Sequence, residues 1–174
     1  GLGVFYDVKS RVRQTKTGKI WTLTLKENPA PGKVVFKGYK LIHPKNYLKN
    51  IATIKDQPYN VHQVRKDIQT IEAIYTKDEF LFAGVYRVDY PKKDGDDLVF
   101  HIAEGEISEV VIQGNTKTKE YVITREILLA PGMPLVKKFI KRDLARLKNL
   151  DYFESITPDI EDAKEDNKKK LILN

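Results

Sequence analysis

Val34-Val35-Phe36-Lys37-Gly38-Tyr39 and Val110-Val111-Ile112-Gln113-Gly114-Asn115 are two versions of one stretch, 76 positions apart. Internal self-similarity is read first because it decides the architecture. The same offset pairs Tyr47 with Ile123, Lys49 with Arg125, Ile51 with Ile127 and Pro58 with Pro134. It continues, without a gap, through Val64 with Ile140, Asp67 with Asp143, Ile68 with Leu144 and Ile71 with Leu147. Beyond that point the offset shortens to 71, matching Phe82 with Phe153, Val85 with Ile156, Phe100 with Leu171 and Ile102 with Leu173. A third, partial copy precedes both. Leu2, Phe5, Val8, Leu23 and Leu25 match Leu150, Phe153, Ile156, Leu171 and Leu173 at an offset of 148. The chain therefore divides into residues 1–27, the closing part of a truncated unit, and complete units over 28–105 and 106–174. Asn28-Pro29-Ala30-Pro31-Gly32 reads as the linker between the first two.

Each unit opens on alternating apolar residues ended by glycine, a strand with a turn stop. Gly38 and Gly114 are expected at positive φ. A short helix follows, with Pro44 in its first turn in copy one and Thr118 as its N-cap in copy two. Val61, Val64, Ile68, Ile71 and Tyr75 form one face of a second helix. Asn60 and Gln63 suit a capping box at its start. Val136, Phe139, Ile140, Leu144 and Leu147 repeat the stripe. Such stripes are core, each buried member contributing roughly 1.5–3 kcal/mol. Two strands close the unit, joined in copy one by an Asp94-Gly95 hairpin turn. The order β-α-α-β-β predicts an α+β fold of tandem modules. Each is a mixed three-stranded sheet covered on one face by two antiparallel helices.

No catalytic constellation is visible. The chain has no cysteine, and His43, His62 and His101 lie far apart, which argues against a metal site. There is no phosphate-binding glycine loop and no nucleophile elbow; the serines are Ser10, Ser108 and Ser155. Asp94-Gly95-Asp96-Asp97 lacks the spacing of a calcium loop. Asp67 and Asp143 recur on the second helix and read as structural caps or ion pairs. The expectation is a non-enzyme with no cofactor.

Lys and Arg number 31 against 24 Asp and Glu, a net charge of +7. This suits a solvated surface or an anionic partner such as lipid headgroups or nucleic acid. A KH-like nucleic-acid module has a similar element order, but its Gly-x-x-Gly loop is missing between the helices of both copies. Nucleic acid is not expected as a partner. No apolar run reaches the roughly 18 residues of a membrane helix. The chain opens Gly1-Leu2-Gly3 with no start methionine, and reads as a piece of a longer protein.

The residues together resemble the POTRA repeats of outer-membrane barrel-assembly proteins such as BamA. The resemblance rests on Gly114-Asn115, the helix start Val122-Ile123-Thr124-Arg125-Glu126, the turn Pro131 to Leu135 and the helix Asp143 to Leu147. It is completed by the close Leu150-Asp151-Tyr152-Phe153-Glu154-Ser155-Ile156, with a second such close at Leu2-Gly3-Val4-Phe5. Copy one departs, with Tyr39 for Asn and Glu79-Phe80 for Gly-Tyr; Asp151 also replaces a glycine. The resemblance implies repeats at the periplasmic face of the outer membrane, or in an organelle intermembrane space. It implies unfolded outer-membrane clients and accessory lipoproteins or assembly subunits as partners; the basic charge adds anionic lipid headgroups as an expected partner. Two-partner secretion transporters and organelle import channels carry similar repeats. Clients are expected to add as a strand to an open sheet edge. The expected edge strands are Ala83 to Asp89, with Ala83, Val85, Tyr86, Arg87 and Val88, and Phe153 to Asp159, with Phe153, Ser155 and Ile156.

Overall fold

A computed structural model describes residues 3–53 and 55–174, with Tyr47 described by its backbone alone. Leu2 of the partial repeat lies outside these residues. By contact density the chain forms two compact units. One comprises Gly1–Lys37, His43–Ile71 and Val85–His101; the other comprises Gly38–Ile42, Glu72–Gly84 and Ile102–Asn174.

Among the described residues, twelve elements follow one another: β1 (Phe5–Thr15), β2 (Gly18–Glu27), β3 (Val34–Lys37), α1 (Lys45–Leu48), α2 (Val61–Lys77), β4 (Gly84–Asp89), β5 (Leu98–Ala103), β6 (Glu106–Ile112), α3 (Glu120–Thr124), α4 (Lys137–Lys148), β7 (Pro158–Asp162) and β8 (Lys168–Leu173). Strands β1 and β2 form an antiparallel hairpin with Thr15 opposite Gly18. The other two sheets have the orders β3-β5-β4 and β6-β8-β7. In each, the first strand runs parallel to the last, which takes the centre. The β-α-α-β-β order is thus present twice, as mixed α+β modules.

The helices differ in length from a symmetric pair. α1 and α3 are single turns of 4 and 5 residues. α2 and α4 run for 17 and 12 residues and carry the apolar stripes. Val64 and Ile71 of α2 are fully buried, as are Leu98 and Phe100 of β5, and the Phe100 ring stacks on Phe36 at 5.3 Å. Ile107, Ile123, Leu129, Leu135, Ile140, Leu147, Leu171 and Leu173 form one core cluster in the second unit.

Several local expectations need correcting. Asn60 does cap α2, accepting the His62 N–H at 2.9 Å, but Gln63 donates to Asp67 instead of completing a capping box. Thr118 does not cap α3; the N-cap position is Lys119, with no side-chain bond. Asp94-Gly95 is not a two-residue turn. Residues 90–97 form a longer loop bonded to the 28–32 segment, with Gly95 N–H donating to Ala30 O and the Ala30 N–H donating to Asp94 Oδ1. That segment is accordingly no loose linker. Asn28 is buried and its side-chain amide donates to the carbonyls of Gly3 and Tyr59.

Candidate protein-binding edge

The recurring acidic residues are structural staples. Asp143, almost fully buried, accepts the N–H groups of Leu128 and Leu129 at 2.8 Å each and pairs with Arg142 at 2.9 Å. Asp67 does the same in its unit, accepting the N–H groups of Ala52 and Thr53 at 2.9 Å and the Thr53 hydroxyl. Each aspartate ties the end of the inter-helix segment to the long helix. Gly38 and Gly114 both have positive φ, at 88° and 77°. Asn115 donates its side-chain amide to the Thr118 carbonyl, closing the turn before α3.

The candidate binding residues fall into two groups with different fates. Val85, Tyr86, Arg87 and Val88 lie on β4, with Ala83 just before it. β4 has a neighbour on one side only, because β5 is the centre of its sheet. Tyr86 and Arg87 are exposed, while Val85 and Val88 are half-buried. The Arg87 side chain is held by Asp89 at 3.0 Å, and His101 Nε2 meets the same carboxylate at 2.7 Å. Arg87 Nη2 also lies 3.1 Å from His101 Nε2; that nitrogen can accept from Arg87 or donate to Asp89 but not both, and in the shorter contact, to Asp89, it is the donor. The hydrogen bond from His101, and then that from Arg87, hold the Asp89 carboxyl below its usual range. The edge strand thus presents a fixed row of polar side chains beside unpaired backbone.

Phe153, Ser155 and Ile156 are not on a strand, which corrects the expectation for the second edge. β7 begins only at Pro158. The register sets Thr157 opposite Asn174, with N–H···O bonds both ways of 2.9 and 3.0 Å. Among the described residues, 153–156 belong to no strand. Phe153 and Ile156 pack against the core cluster instead. With Ser155 they also line a concavity of about 300 Å³ beside Leu144, Ala145 and Lys148 of α4.

The β7 edge is also chemically blunted. The pairs Thr157/Asn174 and Ala163/Lys168 face β8, so Pro158, Ile160 and Asp162 turn their backbone outward. Pro158 has no N–H. The Ile160 N–H is already taken by Asp159 Oδ1 at 2.8 Å. Of the three outward positions, Asp162 alone keeps a free backbone donor. Proline and charge on an edge are the ordinary devices against strand addition. The signal, Pro158 itself, was present in the sequence; what it lacked was the register that shows which way Pro158 faces.

Sequence reasoning also missed a repeated polar position. Glu104, 76 positions after Asn28, is buried and accepts the Leu41 and Ile42 N–H groups and the Tyr75 hydroxyl. Among the described residues no group of three or more His, Cys, Asp or Glu could hold a metal ion.

Known proteins resemble this chain in sequence and fold. The chain is 38% identical over 68 residues to a putative outer membrane protein assembly factor of Treponema pallidum, covering 39% of this chain and 8% of that protein. It is 29% identical over 119 residues to the outer membrane protein assembly factor BamA of Neorickettsia risticii, covering 66% of this chain and 16% of that protein. The chain thus spans less than a fifth of the length of the curated relatives it matches. The N-terminal domain of Omp85 from Thermosynechococcus elongatus superposes with a TM-score of 0.87 at 25% identity, covering 99% of this chain and 76% of that one. A family model, surface antigen variable number repeat, matches residues 30–105 and 106–174, and the chain belongs to that family, the POTRA repeats.

Proposed function

We propose that this chain is a client- and partner-binding part of an outer-membrane protein assembly machine, placed at the periplasmic face of that membrane. It is a non-catalytic module that holds unfolded β-strand clients, and accessory subunits, by strand addition. The assembly-factor names of its relatives support the setting. The observation that carries the mechanism is the open outer edge of β4. Backbone pairing reads N–H and C=O groups and little sequence, which suits a binder of many clients. Since β7 is blunted, the complete modules offer β4 as the receiving strand.

The test is a titration of the chain with an extended peptide taken from a membrane β-strand. Amide shifts should concentrate on Gly84–Asp89. Arg87→Pro should weaken binding about tenfold, since loss of one pairing site and its neighbours removes about 1.5 kcal/mol. Circular dichroism checks that the variant stays folded. Unchanged affinity in a folded Arg87→Pro, with shifts elsewhere, would sink the β4 reading.

A further inference from the structure

The β1–β2 hairpin carries a charge pattern that the other sheets lack. Register pairs Lys9 with Thr24, Arg11 with Thr22 and Arg13 with Ile20. Lys9, Arg11 and Arg13 alternate along β1, so they share one face at the spacing of every second residue. All three are exposed. Lys9 pairs with Asp7 at 3.4 Å, while Arg11 and Arg13 have no ion pair among the described residues. The same face forms a shallow saddle lined by these three together with Thr22, Thr24 and Lys26.

The repeat identifies this face and this strand. Leu23 and Leu25 of β2 match Leu171 and Leu173 of β8, which belong to a core cluster. Their face, shared with Val8 and Val12, is therefore the one the repeat uses for its core. The basic row lies on the opposite, wet face. β2 corresponds to the central strand β8, and β1 to the edge strand β7. On the wet face of β7 stand Asp159 and Glu161 instead. Equivalent edges thus carry opposite charge.

We propose that the outer edge of β1 receives an extended polypeptide bearing acidic residues at alternate positions. An added strand sets its side chains about 5 Å from those of its neighbour, so acids at every second residue meet Lys9, Arg11 and Arg13 in turn. A membrane surface would also feel the charge, but a row at strand pitch on an open edge matches an extended chain. This rests on the strand-addition reading above and adds which edge and which client chemistry.

The experiment uses the whole 174-residue chain and three labelled octapeptides, alternating threonine with glutamate, lysine or serine. Fluorescence anisotropy at low salt should give the glutamate peptide an affinity about tenfold above the serine peptide, with the lysine peptide weakest. Joint Arg11→Glu and Arg13→Glu should reverse the order, with amide shifts for the glutamate peptide mapping to β1 in the parent chain. Equal binding of all three peptides overturns the charge inference and leaves strand addition standing. No binding of any peptide overturns both. An N-methylated glutamate peptide that binds undiminished overturns strand addition at β1, since charge alone then suffices. Binding to phosphatidylglycerol vesicles that the double variant loses, with no binding of the glutamate peptide, assigns the row to a membrane and overturns the proposal.

Discussion

Alanine at Gly38 and alanine at Gly114 should have unequal costs, although the two glycines occupy one position of the repeat. Both have positive φ, at 88° and 77°. An L-residue there costs roughly 1–2 kcal/mol in backbone strain alone. The surroundings differ. A Cβ on Gly38 would lie 2.2 Å from the carbonyl oxygen of Ile102, whereas a Cβ on Gly114 meets no atom within 4 Å. The first contact is with backbone of a strand whose Ile102 side chain is buried, so relief requires β5 or the loop to shift. Overpacking of that kind adds about 1–3 kcal/mol. The expectation is a loss of about 1–2 kcal/mol for Gly114→Ala and about 2–5 kcal/mol for Gly38→Ala. Urea unfolding followed by tryptophan-independent far-UV signal and by amide cross-peaks of each module gives the two midpoints. With a urea slope of about 1 kcal/mol/M, Gly114→Ala should lower its midpoint by about 1–2 M and Gly38→Ala by more. Equal shifts, or a larger one at Gly114, would show that φ strain alone sets the cost and that the Ile102 contact yields freely.

Other outcomes are equally specific. Asp143→Ala leaves the Leu128 and Leu129 N–H groups without their acceptor and should cost about 2–4 kcal/mol, read as a thermal shift of the second module. A shift below 2 °C would mean that water replaces the carboxylate. Glu79→Gly and Asp151→Gly remove non-glycine residues from positive φ, at 62° and 55°, and should each stabilise by about 0.5–1 kcal/mol in urea. A loss of stability would refute strain at those sites. The Asp89 carboxyl, held down first by the His101 hydrogen bond and then by that of Arg87, should titrate below the usual aspartate range in carbon-detected NMR. Its folded pKa is depressed, so its contribution to stability is present above the unfolded pKa and is lost as pH falls through the folded one. His101→Gln should move the titration upward; no movement would assign the depression to Arg87.

Most of the fold was legible because its signals are local and occur twice. The stripe Val61 to Tyr75 gave α2, and Asn60 marked its start. Gly38 and Gly114 announced positive φ by sitting at the end of alternating strands. The resemblance named glycine where Glu79 and Asp151 stand, and the backbone keeps the conformation glycine would favour. The second edge was not legible. Whether Phe153 to Ile156 forms a strand depends on a register set by residues far away in sequence. The 90–97 loop failed for a related reason. Asp94-Gly95 is a local hairpin signal, but the Ala30 carbonyl takes the Gly95 N–H and the Gly32 N–H takes the next carbonyl, Asp96, through long-range bonds.

The two complete modules therefore share what must be shared and differ at their outer edges. Core positions and the aspartate staple recur because each module has the same helices to tie down and the same sheet to cover. No such constraint acts on an outer edge. There one module leaves β4 open, with Tyr86 and Arg87 exposed. The other blunts β7 with Pro158 and with Asp159 on the Ile160 N–H. The hairpin lines β1 with Lys9, Arg11 and Arg13. If the repeats merely multiplied one binding site, their edges would be alike. Edges that are open, closed and basic in turn argue against one site multiplied, and on the proposed reading β4 and β1 would take different ligands. That view demands that Arg87→Pro and the Arg11→Glu, Arg13→Glu pair impair different ligands. A single ligand lost equally in both variants would leave only one composite site.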